Sequence, residues 1–214
     1  KYPCIFIANE FFDAIPIKQF VKNKNDWFEK FVCFSSDKKA KFLNKKINIK
    51  NLENIINFKV SYKQNFIEYS PLGIKYLKDI CSNIKKNNGG LLIIDYGYFE
   101  NKMQDTLQGI FKQKYSKVLE NICKSDITYN LNFNFIEKIV KNFGKLSTNF
   151  TTQKKFLTNL GIYQRAEIIS KNKTFSEKSD IFYRLKRLVD KKEMGDLFKV
   201  MLIKNSNNNF KIGF

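Results

Sequence analysis

Two carboxylates, Glu10 and Asp13, stand three residues apart just after the apolar run Ile5-Phe6-Ile7-Ala8, with Asn9 between the run and the acids. At that spacing a helical turn following the run aims both acid groups at one spot. A second apolar run, Leu91-Leu92-Ile93-Ile94, stops on Asp95-Tyr96-Gly97 and repeats the pattern of an acid at the end of a buried segment. Acidic groups so placed suit the binding of a ligand. The same residues also fit a structural role, in which Asn9 caps the turn, Phe11 and Phe12 join the core, and Glu10 and Asp13 are solvated acids near a helix N-terminus. Asp95 likewise fits a polar residue closing a strand.

The elements that must position these groups follow from hydrophobic pattern. Ile5–Ala8 shows no polar alternation, which is how a strand covered on both faces of a parallel sheet reads. In open α/β sheets ligands collect beyond the carboxyl ends of such strands, and this is where Asn9, Glu10 and Asp13 fall. Ile17–Val21 and Trp27–Phe34 flank the polar stretch 22–26 and predict a hairpin. Asp37–Asn57, rich in Lys and Asn, predicts a low-complexity surface stretch with little regular structure. Ser70-Pro71 predicts a helix start, with the helix running to about Lys86 and Gly89-Gly90 ending it. Residues 101–126 read as a long connection of weak periodicity. Helices are predicted over 132–143, from Gln153 through Arg165, and over 177–192, followed by a closing strand at Val200–Ile203.

Composition narrows the function. The 214 residues suffice for one domain with a sizeable core, and a hydrophobic share of 43% with 22 Phe indicates a folded chain. The net charge of +19 invites a nucleic-acid reading, yet Arg occurs only at 165, 184 and 187, and lysine is spread through every segment. Arginine is the better reader of phosphates and bases, so no specific nucleic-acid partner is expected. A basic surface that meets an acidic partner remains open. Histidine is absent, which excludes Ser-His-Asp and Cys-His catalysis and His-containing zinc sites. Cys4, Cys33, Cys81 and Cys123 form no C-x-x-C and read as reduced core thiols of an intracellular protein. No eighteen-residue apolar run is present, so no membrane span is expected.

Several motifs carry a family resemblance. Asn9-Glu10-Phe11-Phe12-Asp13-Ala14-Ile15-Pro16 resembles the NEFFDALP signature of the MidA-like methyltransferases. Glu68-Tyr69-Ser70-Pro71, Asp95-Tyr96-Gly97, Thr106-Leu107-Gln108 and Ser125-Asp126-Ile127-Thr128 match the family's E-x-S-P, DYG, T-L-Q and A-D-L-T. The pattern Gln153-x-x-Phe156-Leu157-x-x-Leu160-Gly161-Ile162-x-x-Arg165 and Met194–Val200 match two more. Where the family has histidines, this sequence has Tyr98, Lys114 and Asn130 or their neighbours.

The resemblance implies an α/β fold with a Rossmann-like class I methyltransferase sheet and S-adenosylmethionine as cofactor. Among nine glycines there is no G-x-G. The family's glycine-rich cofactor loop is therefore expected upstream, with the sheet here beginning at its fourth strand and this chain alone at most half a catalyst. Residues 1–214 are then the C-terminal part of one domain, with a β-hairpin and low-complexity insertion at about 17–62. The implied substrate is a protein, an arginine of a respiratory complex I subunit, held by Glu10 and secondarily Asp13. Asn9 is expected to touch the cofactor, and Asp95, Tyr96 and Gln108 to line the substrate wall. No metal is expected. Without its neighbouring strand, Ile5–Ala8 becomes a bare apolar edge, to be covered by a second copy or a complementing chain. A bacterial cytoplasm or a mitochondrial matrix is the implied location. The alternative is a non-catalytic interaction module derived from the same fold.

Overall fold

A computed structural model describes residues 2–36 and 39–214. In chain order the first half holds β1 (Cys4–Asn9), β2 (Lys18–Asn23), β3 (Asp26–Phe34), β4 (Ala40–Ile47), α1 (Ile49–Ile56), β5 (Phe66–Tyr69), α2 (Pro71–Asn87) and β6 (Gly89–Tyr98). Short strands β7 (Gln108–Phe111), β8 (Lys114–Ser116), β9 (Asp126–Thr128) and β10 (Leu131–Asn132) follow. The last part comprises α3 (Phe133–Lys141), β11 (Leu146–Thr152), α4 (Gln153–Asn159), α5 (Ile162–Ser170), α6 (Phe175–Val189), α7 (Met194–Leu197) and β12 (Phe198–Asn205). The chain divides into two compact units, one of Lys1–Phe11, Lys78–Tyr98 and Phe133–Phe214, the other of Phe12–Leu77 and Phe99–Asn132.

The first unit is built on a sheet in the order β1-β6-β12-β11. β1 and β6 run parallel, from Cys4 beside Gly89 to Asn9 beside Ile94. β12 is antiparallel to β6 and to β11. The sheet is thus mixed, with β1 in the expected parallel pairing. Leu91, Ile93, Val200, Met201 and Ile203 are wholly buried at its centre, and Phe133 and Val140 of α3 belong to the same core class. β1 has a single strand neighbour, and Ile5 and Ile7 are 81% and 70% exposed. That corrects the reading of Ile5–Ala8 as covered on both faces: Ile5 and Ile7 share one face of β1 and that face is open, while Ala8 on the other is buried. β6 likewise does not stop at Asp95 but continues to Tyr98, because Tyr96 and Asp95 still pair with Phe198 and Lys199 of β12.

Local chemistry sets several boundaries. Pro71 opens α2 where its missing N–H costs nothing, and the Ser70 hydroxyl accepts from Gly73 N at 2.9 Å. Gly89, at φ +103°, lies so close to the start of β1 that an added Cβ would stand 1.9 Å from the Cys4 carbonyl oxygen. The helix from Gln153 through Arg165 is in fact two, since Gly161 at φ +80° separates α4 from α5. α6 begins with a capping box in which Thr174 and Glu177 satisfy each other's backbone N–H groups.

The second unit contains an antiparallel sheet, β4-β3-β2-β5, and a small sheet, β8-β7-β9. The expected hairpin forms between β2 and β3, with Asn23 facing Asp26. The stretch read as Asp37–Asn57 with little regular structure instead carries β4 and α1; Asp37 and Lys38 lie outside the described residues. Pairing along β3 and the Asn48 cap of α1, which accepts from Lys50 N at 3.0 Å, override a composition that favours loops. The long connection 101–126 also contains strands, turned between β7 and β8 by Lys112 and Gln113, both at positive φ.

Candidate functional site

The carboxyl end of β1 lies beside Ile94 of the parallel β6, and the chain leaves β1 through a constrained residue. Glu10 has φ +46°, a left-handed conformation uncommon for a residue with a long side chain, and its N–H donates to Ile94 O at 3.0 Å. Such conformations persist where the surroundings fix them and concentrate at functional sites. The side chains of Asn9 and Glu10 are exposed, and Asn9 Nδ2 donates to Glu10 Oε1 at 3.5 Å. Both are therefore open to a ligand. The expected helical turn after β1 does not form; the left-handed Glu10 breaks it, and a tighter turn closes from Ile15 N to Phe12 O at 3.3 Å. Glu10 belongs to the first unit and is exposed, whereas Asp13 belongs to the second and is 5% exposed.

Asp95 follows directly on Ile94, the residue paired with Asn9, so it lies within β6 just past the level where β1 ends. It is completely buried, and Oδ1 accepts from Tyr96 N at 2.9 Å. Tyr96 is half-buried, its ring 4.1 Å from that of Phe198. Asn9, Glu10, Asp95 and Tyr96 are thus gathered in one unit. Gln108 opens β7 in the second unit, where Nε2 donates to Thr128 Oγ1 at 3.3 Å.

A buried polar network in the second unit escaped the sequence reading. Glu68 of β5 accepts from Gln19 Nε2 at 2.5 Å, from the Thr106 hydroxyl and from Thr106 N at 3.3 Å. Gln19 Nε2 also donates to Asp105 Oδ1 at 2.7 Å, and Lys30 pairs with Asp105 Oδ2 at 3.1 Å. Burial raises the Glu68 carboxyl above its ordinary value, aided by the charge of Asp105 and opposed by the bonds from Thr106 and Gln19. The signal was present in Phe66-Ile67-Glu68-Tyr69, a lone acid in an apolar strand. The network fastens the segment before β7, which carries Gln108, to β2 and β5.

The four cysteines are free, but only Cys81 is a core thiol, pushed up to about 12 by burial; Cys4 and Cys123 are exposed and Cys33 half-buried. The expectation of four core thiols fails because apolar sequence neighbours do not decide which side of an edge or loop a residue faces. Among the described residues no group of three His, Cys, Asp or Glu is placed to hold a metal ion, and no helix is long and apolar enough to cross a membrane.

Comparison with known proteins shows the family of the chain. A family model described as S-adenosyl-L-methionine-dependent methyltransferase matches residues 1–151. The mitochondrial protein arginine methyltransferase NDUFAF7 of Danio rerio is 25% identical over 202 residues, which are 94% of this chain and 47% of the relative. The Xenopus tropicalis protein of the same name is 28% identical over 202 residues, 91% of this chain and 45% of that one. The chain therefore spans about half the length of the curated relatives it matches. A crystal structure from Burkholderia thailandensis, bound to S-adenosyl-homocysteine, superposes with a TM-score of 0.81 at 18% identity, over 100% of this chain and 56% of that one. The fold is shared. With a model covering well over half of its residues, the chain belongs to the MidA-like family of S-adenosyl-L-methionine-dependent methyltransferases.

Proposed function

We propose that this chain carries the acceptor-binding side of a protein arginine methyltransferase site, with Glu10 as its principal residue. The observation that supports this is the exposed Glu10 carboxylate, placed by a left-handed backbone and the bond from Glu10 N to Ile94 O at the carboxyl end of β1, beside the parallel β6. S-adenosylmethionine, when bound, supplies an electrophilic methyl group on a sulfonium. The protein's task in such a displacement is mainly orientation. A guanidinium is planar, and a carboxylate can grip two of its N–H groups while leaving the third nitrogen free to attack. Glu10 is assigned that grip, and Asp13, three residues on, is the second carboxylate to test. Asn9, exposed beside it, offers an amide for the methionine end of the cofactor; Asp95, Tyr96 and Gln108 are proposed to shape the substrate wall.

The relatives named as protein arginine methyltransferases support a protein substrate. Family resemblance suggests a respiratory complex I subunit, and the relatives' mitochondrial names favour a matrix location over a bacterial cytoplasm. The sequence holds no G-x-G, so the glycine-rich cofactor loop is proposed to come from outside these 214 residues. Its segment would pair with the free edge of β1, or a second copy would cover that edge. A cavity of about 520 Å³ beside it, lined by Ile5, Leu92, Leu202, Phe156 and Phe210, offers apolar surface for the same segment.

The test is calorimetric titration with S-adenosyl-homocysteine together with turnover on a protein acceptor, in an enzyme completed by the glycine-loop segment. Glu10→Gln is expected to lower turnover roughly 10- to 100-fold through loss of a charge-assisted bond, with cofactor affinity nearly unchanged. Unchanged turnover removes Glu10 from the site, and a parallel loss of cofactor affinity reassigns it to cofactor binding. No turnover in the completed wild-type protein supports the interaction-module alternative. Micromolar binding by this chain alone overturns the proposal that the loop is supplied from outside.

A further inference from the structure

Helices α4, α5 and α6 of the first unit pack around Ala166, Leu185 and Val189. Against that seam lies a groove of about 480 Å³, floored by Tyr163, Phe182 and Leu185 and rimmed by Lys154, Lys186, Lys191 and Lys192. The acid in its lining, Asp190, is turned to local use, its Oδ1 accepting from Lys192 N at 2.9 Å. None of the four rim lysines makes an ion pair among the described residues. All three arginines of the sequence, Arg165, Arg184 and Arg187, are exposed on α5 and α6, outside the groove lining. The aromatic floor is of the kind enriched at docking surfaces, and the unpaired lysines around it set the sign of charge that a partner must bring.

We propose that this groove docks an acidic amphipathic helix of a partner protein. Aliphatic side chains at helical spacing fill the floor, and flanking carboxylates meet the lysine rim. Charge complementarity selects the occupant: the rim is cationic and its own acid is engaged. A phosphate backbone finds no use for Leu185 and Phe182, whereas an acidic amphipathic helix satisfies floor and rim together. The groove shares no residue with Asn9, Glu10, Asp13, Asp95, Tyr96 or Gln108, so the inference stands apart from the proposed methyl transfer.

The test is fluorescence anisotropy of the complete 214-residue chain with a labelled synthetic helix bearing leucines on one face and glutamates on the other. Micromolar binding is expected, weakened at least about 10-fold by Lys186→Glu, Lys191→Glu and Lys192→Glu together. The milder set Lys186→Gln, Lys191→Gln and Lys192→Gln, with an unchanged melt, is expected to weaken it by a smaller factor. Phe182→Ser is expected to cost about 10-fold as well. Reversing Lys41, Lys45 and Lys50, exposed lysines elsewhere, should leave binding intact; an equal loss there would mean attraction to net charge alone and would overturn the site. Equal affinity for a peptide with serines replacing the leucines overturns the apolar floor. Tighter binding of duplex DNA or of phosphatidylserine vesicles overturns the acidic-protein assignment.

Discussion

At Glu68 burial and hydrogen bonding pull in opposite directions, and burial wins, leaving the carboxyl above its ordinary 4.5. The folded state therefore binds this proton more tightly than the unfolded chain does. The associated stability is fully present below 4.5 and is lost as pH rises through the raised value. Urea melts across the acid-to-neutral range should show that decline, and Glu68→Gln should flatten it. Gln19 can rotate to present its buried Oε1, which has no hydrogen bond, to the new amide. Glu68→Ala, which strands Thr106 N and Gln19, should cost about 1–3 kcal/mol at acid pH and less as pH rises through the raised value. An unchanged slope in Glu68→Gln would mean that another group titrates there. Glu177 acts in a separate window: held down to about 2, first by the Thr174 backbone N–H, it contributes stability above 4.5 that is lost as pH falls toward 2. At this scale Asn9 and Glu10 were legible from spacing after an apolar run. The burial of Asp13 and the left-handed Glu10 were not, because a backbone angle depends on the Ile94 carbonyl, which is remote in sequence.

Between elements, the junction of β1 with β6 is the most exacting contact in the first unit. Gly89→Ala must place a methyl 1.9 Å from the Cys4 carbonyl oxygen at φ +103°, so the start of β1 has to separate from β6. We expect a loss of at least about 2 kcal/mol, from left-handed strain plus the clash. Hydrogen exchange should show it first in the Ile5–Asn9 amides. Protection of those amides unchanged from wild type would sink the close-approach account. Sequence signals placed α2, α3 and the β2–β3 hairpin well, since Ser70-Pro71, the apolar stripe Phe135-Ile136-Ile139-Val140 and the polar turn at 22–26 are local. They failed for β4, α1 and β7–β8. There the turn residues are Lys112 and Gln113 rather than Gly or Asn, and pairing across strands decides the outcome.

Over the whole molecule, two features stand out: a free strand edge and a basic surface. Ile5 and Ile7 are exposed on β1, which has one neighbour in its sheet. Exposed apolar edges recruit other strands. The isolated chain is expected to associate in a concentration-dependent way. Ile5→Lys with Ile7→Lys should shift it toward monomer in sedimentation while changing stability by no more than about 0.5 kcal/mol. Association that persists in this variant would place the contact elsewhere. The net charge of +19 opposes self-association at low salt, so the effect should grow as salt screens it.

By itself the sequence determined the family, through motifs spread from Asn9 to Val200, and with it the class of cofactor and the placement of Asn9 and Glu10 at the end of a strand. Its apolar runs also marked the central strands, because a buried strand needs no partner-specific pattern to be recognised. Only the tertiary structure decided that the sheet is mixed, that β1 is an open edge, that Asp95 lies inside a longer β6, and that Glu68, Gln19, Asp105 and Thr106 form one buried network. Strand direction, edge position and the pairing of polar groups 38 to 86 residues apart are properties of which segments become neighbours. Neighbourhood is settled by packing, which no local pattern encodes.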